Sequence, residues 1–278
     1  MILTPRYDGP TILSVDGHPA DQLEPLMRQR RRMQAMLAGL TDDEWMSMSR
    51  CAEWTVRDVV AHLVGVNSFW HGSIVAGLAG TPTRILGGGF DPATTPSLMV
   101  NQMNSLTIQA LLDQFVSTNE ALIGVVSELT DAAWSMLAES PAGHVPIRLV
   151  AQHALWDSWV HERDVVIPLG IPTAAEQTEL RSCLLYAAAV SPALGFGFGR
   201  RRAETLGVEA SNPRIGFMIE VGESVSVRDV YPTSGVPCLR GEAVALIEAL
   251  SLRAPMAPSA PIEWTQLIDG LAIAFDAV

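Results

Sequence analysis

The chain has no lysine: all eighteen of its basic residues are arginine. Without a lysine ammonium, Schiff-base chemistry, attachment of pyridoxal phosphate and a P-loop phosphate grip are excluded together. Arginine codons are GC-rich and lysine codons are not, so the bias points to a GC-rich genome of the actinobacterial kind. Positive charge is also scarce overall, with a formal net charge of -12. Neutralisation of phosphates cannot drive binding here, and no nucleic-acid partner is expected. The two basic runs, Arg30-Arg31-Arg32 and Arg200-Arg201-Arg202, are short, and short charge clusters are expected on solvated faces or loops.

Cysteine is sparse as well. Cys51, Cys183 and Cys238 are odd in number, far apart and form no CxxC pair, which excludes a disulfide framework or a zinc knuckle and suits a reducing cytoplasm. Cys51 is expected to be a spectator thiol. No uninterrupted apolar run reaches the ~18 residues of a membrane span, and the first twenty residues lack a basic stretch followed by an apolar one. The expectation is a soluble, cytoplasmic protein with no membrane partner.

What the chain does have is apolar residues, 48% of its 278, against 17% charged, enough for a sizeable core. Residues from about 20 to 167 read as four helices. The first spans about 21–39. The second starts behind a T-x-x-D capping box at Thr55 and Asp58 and ends near residues 77–80. After the Gly/Pro/Thr-rich loop GTPTRILGGGFDPATTP comes one long helix over about 97–129, and the fourth opens at Pro146 and closes near Pro168. Short connections favour an antiparallel bundle. Beyond Pro172 a helix over 174–193, the breaker-rich LGFGFGRRR, a hairpin RIGFMIEV/SVSVRDVY turning at Gly222-Glu223, a strand PCLRG, a helix EAVALIEALSL and a terminal helix over the last seventeen residues make a smaller α+β unit. GFGFGR does not fit a phosphate loop and reads as a hinge or rim. The expected class is therefore α+β, a four-helix bundle over 1–172 followed by a smaller α+β domain over 173–278 that covers it.

Two stretches carry candidate chemistry. His62 falls among Val59, Leu63 and Val66 on the apolar stripe of the second helix. On the fourth helix, His153, Asp157 and His161 lie at i, i+4 and i+8, with Asp164 close to the same stripe. Helical spacing alone allows either a solvated polar face or an inward-facing set. A bundle interior that admits imidazoles and a carboxylate needs a reason, and metal coordination is one: neutral histidines and one carboxylate suit Zn²⁺ with a fourth position open.

WTVRDVVAHL resembles the second-helix motif of the mycothiol-dependent maleylpyruvate isomerase family, within the DinB-like four-helix metal proteins, and DSWVHERD is similar to its fourth-helix motif. CLRGEAVALIEALSLR extends the likeness weakly into the second domain. The resemblance implies His62, Asp157 and His161 as metal ligands, with Asp164 as an outer partner; His153, on the same helical stripe, is a further candidate outer partner, with a bystander as the alternative. The family more usually has Glu where Asp157 stands, and the shorter arm would draw the metal toward the backbone or weaken the site. It further implies zinc as the metal and mycothiol as thiol co-substrate. Activated on the metal, the thiol would add to a small electrophile, as a cis–trans isomerase, or displace a leaving group, as an S-transferase. Arg228 and Arg240, in or beside the predicted strands, are candidates for holding a substrate carboxylate. A metal-dependent hydrolase, or a binding protein that has lost its metal, remain the alternatives.

Overall fold

A computed structural model describes residues 2–197, 204–264 and 271. Helix α1 (Leu23–Leu37) leads through the single turn α2 (Asp42–Trp45) to α3 (Val56–Leu78). Helices α4 (Thr95–Gln102), α5 (Ile108–Ser127) and α6 (Ile147–Val166) complete the N-terminal half. Contacts run α1–α5–α3–α6 and back to α1, so these four close a bundle. The capping box at Thr55 is present in both directions: its side chain accepts from the Asp58 N–H, and Asp58 accepts from the Thr55 N–H. Thr41 and Glu44 build a second such box on α2, in the connection between the first two expected helices.

The single long helix expected over about 97–129 is two helices, α4 and α5. Thr107 caps α5 by accepting from the Ala110 N–H. Arg57, reaching across from α3, donates to the carbonyls of Met103 (2.7 Å) and Leu106 (3.1 Å). That donor satisfies carbonyls left free at the break between the helices, a break that local propensity does not reveal.

Midway along the bundle, buried polar groups from all four helices meet at one level. The Arg30 guanidinium is fully buried and donates to Asn67 Oδ1 (2.6 Å), Asn119 Oδ1 (3.1 Å) and the Ala154 carbonyl (2.9 Å). Apolar packing lies on either side. Met33, Leu37, Val59, Leu63, Leu111, Phe115 and Val165 form one cluster; Leu26, Trp70, Ile74, Leu122 and Leu155 belong to another. The expectation of a solvated arginine triplet fails here: Arg31 alone is exposed, while Arg32 bridges Glu162 and Glu179. Arg200–Arg202 lie outside the described residues.

Helix α7 (Gln177–Gly197) packs on α6, on α8 (Ala243–Leu250) and on the sheet, forming the layer between bundle and sheet. The sheet orders as β1 (Leu13–Val15), β6 (Val225–Arg228), β5 (Arg214–Val221), β4 (Glu204–Ser211), β7 (Cys238–Gly241). The expected hairpin is β5–β6, closed by the pair Val221↔Val225. PCLRG is β7, parallel to β4. Strand β1 comes from the N-terminal stretch and pairs in parallel with β6, so the first residues of the chain help build the second half. Helix α7 also carries the first glycines of LGFGFGRRR; the rest of that stretch lies outside the described residues, as does most of the expected terminal helix.

A small hairpin, β2 (Leu137–Ser140) with β3 (Gly143–Pro146), sits under the Gly/Pro-rich loop. Its buried Glu139 accepts from the Tyr7 hydroxyl, Thr83 Oγ1 and the backbone N–H groups of Ile85 and Leu86. One buried carboxylate thus organises a loop too rich in breakers to order itself. By length and composition α3 would suffice to cross a membrane, but half of its apolar window is buried within the fold.

Candidate metal centre

Because α6 is packed between the bundle and α7, it is buried on almost every side, the pattern of a helix enclosed on all faces. The solvated reading of its polar stripe is thereby excluded: His161 and Asp164 are buried. Across from them, α3 delivers His62, whose ring centroid is 4.9 Å from that of His161. Donor atoms of His62, Asp157 and His161 all lie within 4.8 Å of one another. A tetrahedral ion with bonds of ~2.0–2.1 Å needs its donors ~3.3–3.4 Å apart, and His161 Nε2 is already 3.7 Å from Asp157 Oδ1. That gap is too long for a hydrogen bond and close to the separation two ligands would have.

The polar atoms here lack other partners. His62 Nδ1 and Asp157 Oδ2 are buried and make no hydrogen bond, a costly condition unless a ligand joins them. Burial drives the His62 pKa well below its usual value, reinforced by the charges of His161 and Arg253. Burial also pushes Asp157 upward, against the pull of His161, Arg30 and Arg253. A neutral imidazole and a carboxylate short of positive charge suit a divalent cation.

His161 is held from behind. Its Nδ1 is 3.1 Å from Asp164 Oδ2, which leaves Nε2 facing Asp157. Burial disfavours its protonation, but the hydrogen bonds to Asp164 and Cys51 and the Asp157 charge outweigh that, raising its pKa to about 10. A cation at the three ligands must displace that proton. Asp164 in turn stays ionised: burial opposes this, yet His161 and Arg253 hold its pKa below the usual carboxylate range. Cys51, expected as a spectator, donates to Asp164 Oδ2 (3.2 Å) and lies 3.7 Å from His161 Nδ1. Cys51, His161 and Asp164 thus form a second compact donor group. Its carboxylate is already saturated by Arg253, so the set with unpartnered atoms fits a metal better.

Three expected residues stand elsewhere. His153 turns its side chain away from the candidate ligands: its Nδ1 is 2.6 Å from the Tyr186 hydroxyl, and its ring packs on Trp70, Trp156 and Tyr186. Burial lowers its pKa to about 3, so it is neutral. Arg228 and Arg240 are exposed on the sheet and engaged by acidic neighbours, Arg228 by Glu220 and Asp16 and Arg240 by its cross-strand partner Glu209. The arginine that does reach the centre is Arg253, which spacing could not single out because nothing in the sequence ties it to α6. An open groove of about 720 Å³ lies on the sheet, lined by Glu204, Glu220, Glu223 and Pro237 among others, and includes none of His62, Asp157 and His161.

The profile of the mycothiol maleylpyruvate isomerase N-terminal domain matches residues 26–166, half of the chain and all four bundle helices apart from three residues at the start of α1. The chain belongs to this family. As a member of the mycothiol maleylpyruvate isomerase family it belongs among enzymes, and its bundle followed by a sheet-containing half is the family's architecture. A crystal structure of the mycothiol-dependent maleylpyruvate isomerase superposes with a TM-score of 0.60 at 14% identity, over 87% of this chain and 96% of that one. A histidine-to-alanine mutant of that enzyme gives 0.61 at the same identity and coverage. At such identity the likeness establishes the fold alone. A search of curated proteins finds no match.

Proposed function

We propose that this family member holds one divalent metal, zinc, on His62, Asp157 and His161, and uses mycothiol at that site to attack a small electrophile. The observation that carries the reading is the convergence of three donors from two helices with two buried polar atoms left unpartnered. When bound, the ion would supply the positive charge that keeps a thiol of pKa ~8.5 as its thiolate at neutral pH.

The chain's own residues do the rest. Asp164 fixes the His161 ring so that Nε2 faces inward, and Trp54 packs against His62, shielding it on one side. His62 and Asp157 keep partial exposure, leaving an open side for thiol and substrate. In an isomerisation the thiolate sulfur bonds to one carbon of an activated double bond, whose electron pair moves to the conjugated oxygen. The resulting single bond rotates, the carbon–sulfur bond breaks, and the double bond re-forms with the thiolate released. Displacement of a leaving group by the same thiolate would make the protein a transferase. Membership of the mycothiol maleylpyruvate isomerase family favours the isomerase, with a maleylpyruvate-like electrophile. Neither chemistry calls for a nucleic-acid or membrane partner.

Metal analysis of protein purified without chelator should give about one equivalent per chain. His62→Ala should lose it while circular dichroism stays unchanged; full retention would remove His62 from the site. Calorimetry of mycothiol with metal-loaded and metal-stripped protein tests the thiol step. Binding indifferent to the metal would replace thiol activation with metal-dependent hydrolysis or simple ligand binding.

A further inference from the structure

The geometry points to Arg253, from the C-terminal half, as a positioning residue that sets the orientation of the metal ligand His161 through Asp164. This rests on the metal reading above and goes beyond it, because the three ligands and Asp164 all lie in the bundle, and Arg253 lies beyond residues 26–166, which the N-terminal domain profile matches. The Arg253 Nε is 3.0 Å from both Asp164 oxygens, and Nη2 is 2.9 Å from Oδ2. Asp164 is completely buried and accepts from His161 Nδ1 through that same Oδ2. A carboxylate so gripped cannot rotate without breaking charge-assisted hydrogen bonds, and an imidazole bonded to it shares its fixed orientation.

Arg253 is itself held in place. Its backbone N–H donates to the Glu248 carbonyl (2.8 Å), and its own carbonyl accepts from Arg50 Nη2 (3.0 Å). Glu248 on α8 is gripped by Arg50 and Arg163, and the Arg50 N–H donates to the Asp164 carbonyl. Leu252, immediately before Arg253, has φ +60°, and Glu53, two residues after Cys51, has φ +65°. Among the described residues they are the two non-glycines in the left-handed region. Both flank this one cluster, and such backbone persists only where surrounding contacts enforce it. The turn after α8 is thus bent inward to deliver a guanidinium to the back of a bundle ligand.

The test compares Arg253→Gln, Arg253→Lys and the surface control Arg240→Gln in the full-length chain. Zinc affinity is read by competition with a chromophoric chelator. Arg253→Gln should bind zinc ~10–100-fold more weakly, the usual effect of removing an outer partner of a ligand. Arg253→Lys, which keeps the charge without the two-pronged grip, should fall between, and Arg240→Gln should match wild type. Affinity of Arg253→Gln within threefold of wild type would overturn the proposal and leave Arg253 a substrate contact or a structural residue. If the glutamine variant does not fold, the lysine variant decides: at least threefold weaker supports the proposal, equality with wild type overturns it. A metal-independent readout separates this from the functional reading. In metal-free protein the His161 Nδ1–H bonded to Asp164 should give a slowly exchanging imidazole proton signal, kept in Arg240→Gln and lost in Arg253→Gln. A wild type that takes no zinc but shows this pattern refutes the metal function and sustains the positioning; a signal unaffected by Arg253→Gln refutes the positioning.

Discussion

Asp157 carries one methylene fewer than the glutamate that the family resemblance leads one to expect, and under the proposed metal reading its position decides whether the shorter arm suffices. Its Oδ1 stands 3.7 Å from His161 Nε2, near the spacing of two ligands on one tetrahedral ion, so a small inward shift completes the set. Its Oδ2 has no partner. Asp157→Glu should therefore keep about one equivalent of metal, with affinity equal to or tighter than wild type, because the longer arm reaches the same point with less movement. Asp157→Ala should lose the metal. Equal metal content in wild type and both variants, measured after identical purification, would place this carboxylate outside the coordination sphere.

Among the helices, the decisive contact is the polar layer around Arg30. With a buried cation bonded to two amides and a carbonyl, removing one member strands the others. Arg30→Met should cost about 2–4 kcal/mol in urea denaturation, the range for unpaired buried polar groups. Replacing Arg30, Asn67 and Asn119 together with apolar residues of similar volume should recover most of that loss. A single Arg30→Met as stable as wild type would show the layer to be energetically idle. The layer was not legible in the sequence, where Arg30-Arg31-Arg32 looks like a surface run; only the approach of three other helices makes its first arginine interior. Helices with strong periodicity and caps, such as α3 behind Thr55, were legible, and so was the β5–β6 hairpin, with its two-residue turn signal. Strand β1 and the β2–β3 hairpin were not: they are three or four residues long and exist through partners distant in sequence. His62, Asp157 and His161 stood out through the likeness of WTVRDVVAHL and DSWVHERD to family motifs, since helical spacing alone left a solvated face open, whereas the part of Arg253 emerges only from its tertiary approach to Asp164.

At the scale of the whole molecule, stability should carry a signature of His153. Its folded pKa of about 3 lies well below the ~6.5 of an unfolded chain. Below pH 6.5 the unfolded state therefore takes up a proton that the folded state refuses. This residue's contribution is intact above pH 6.5 and erodes as pH falls toward 3, with a slope of at most about 1.4 kcal/mol per pH unit. His153→Gln can still accept from Tyr186 but does not titrate, so its unfolding free energy should fall less steeply between pH 6.5 and 4. Parallel slopes in urea titrations would show that His153 is not buried neutral. The interior that these titrations probe is divided, since the polar layer separates a smaller cluster at the ligand end from the larger one continuous with the sheet. An interior cut in two need not open as one. The smaller part has fewer apolar neighbours to lose, so the backbone amides of that end should exchange with solvent ahead of those in α7 and the sheet.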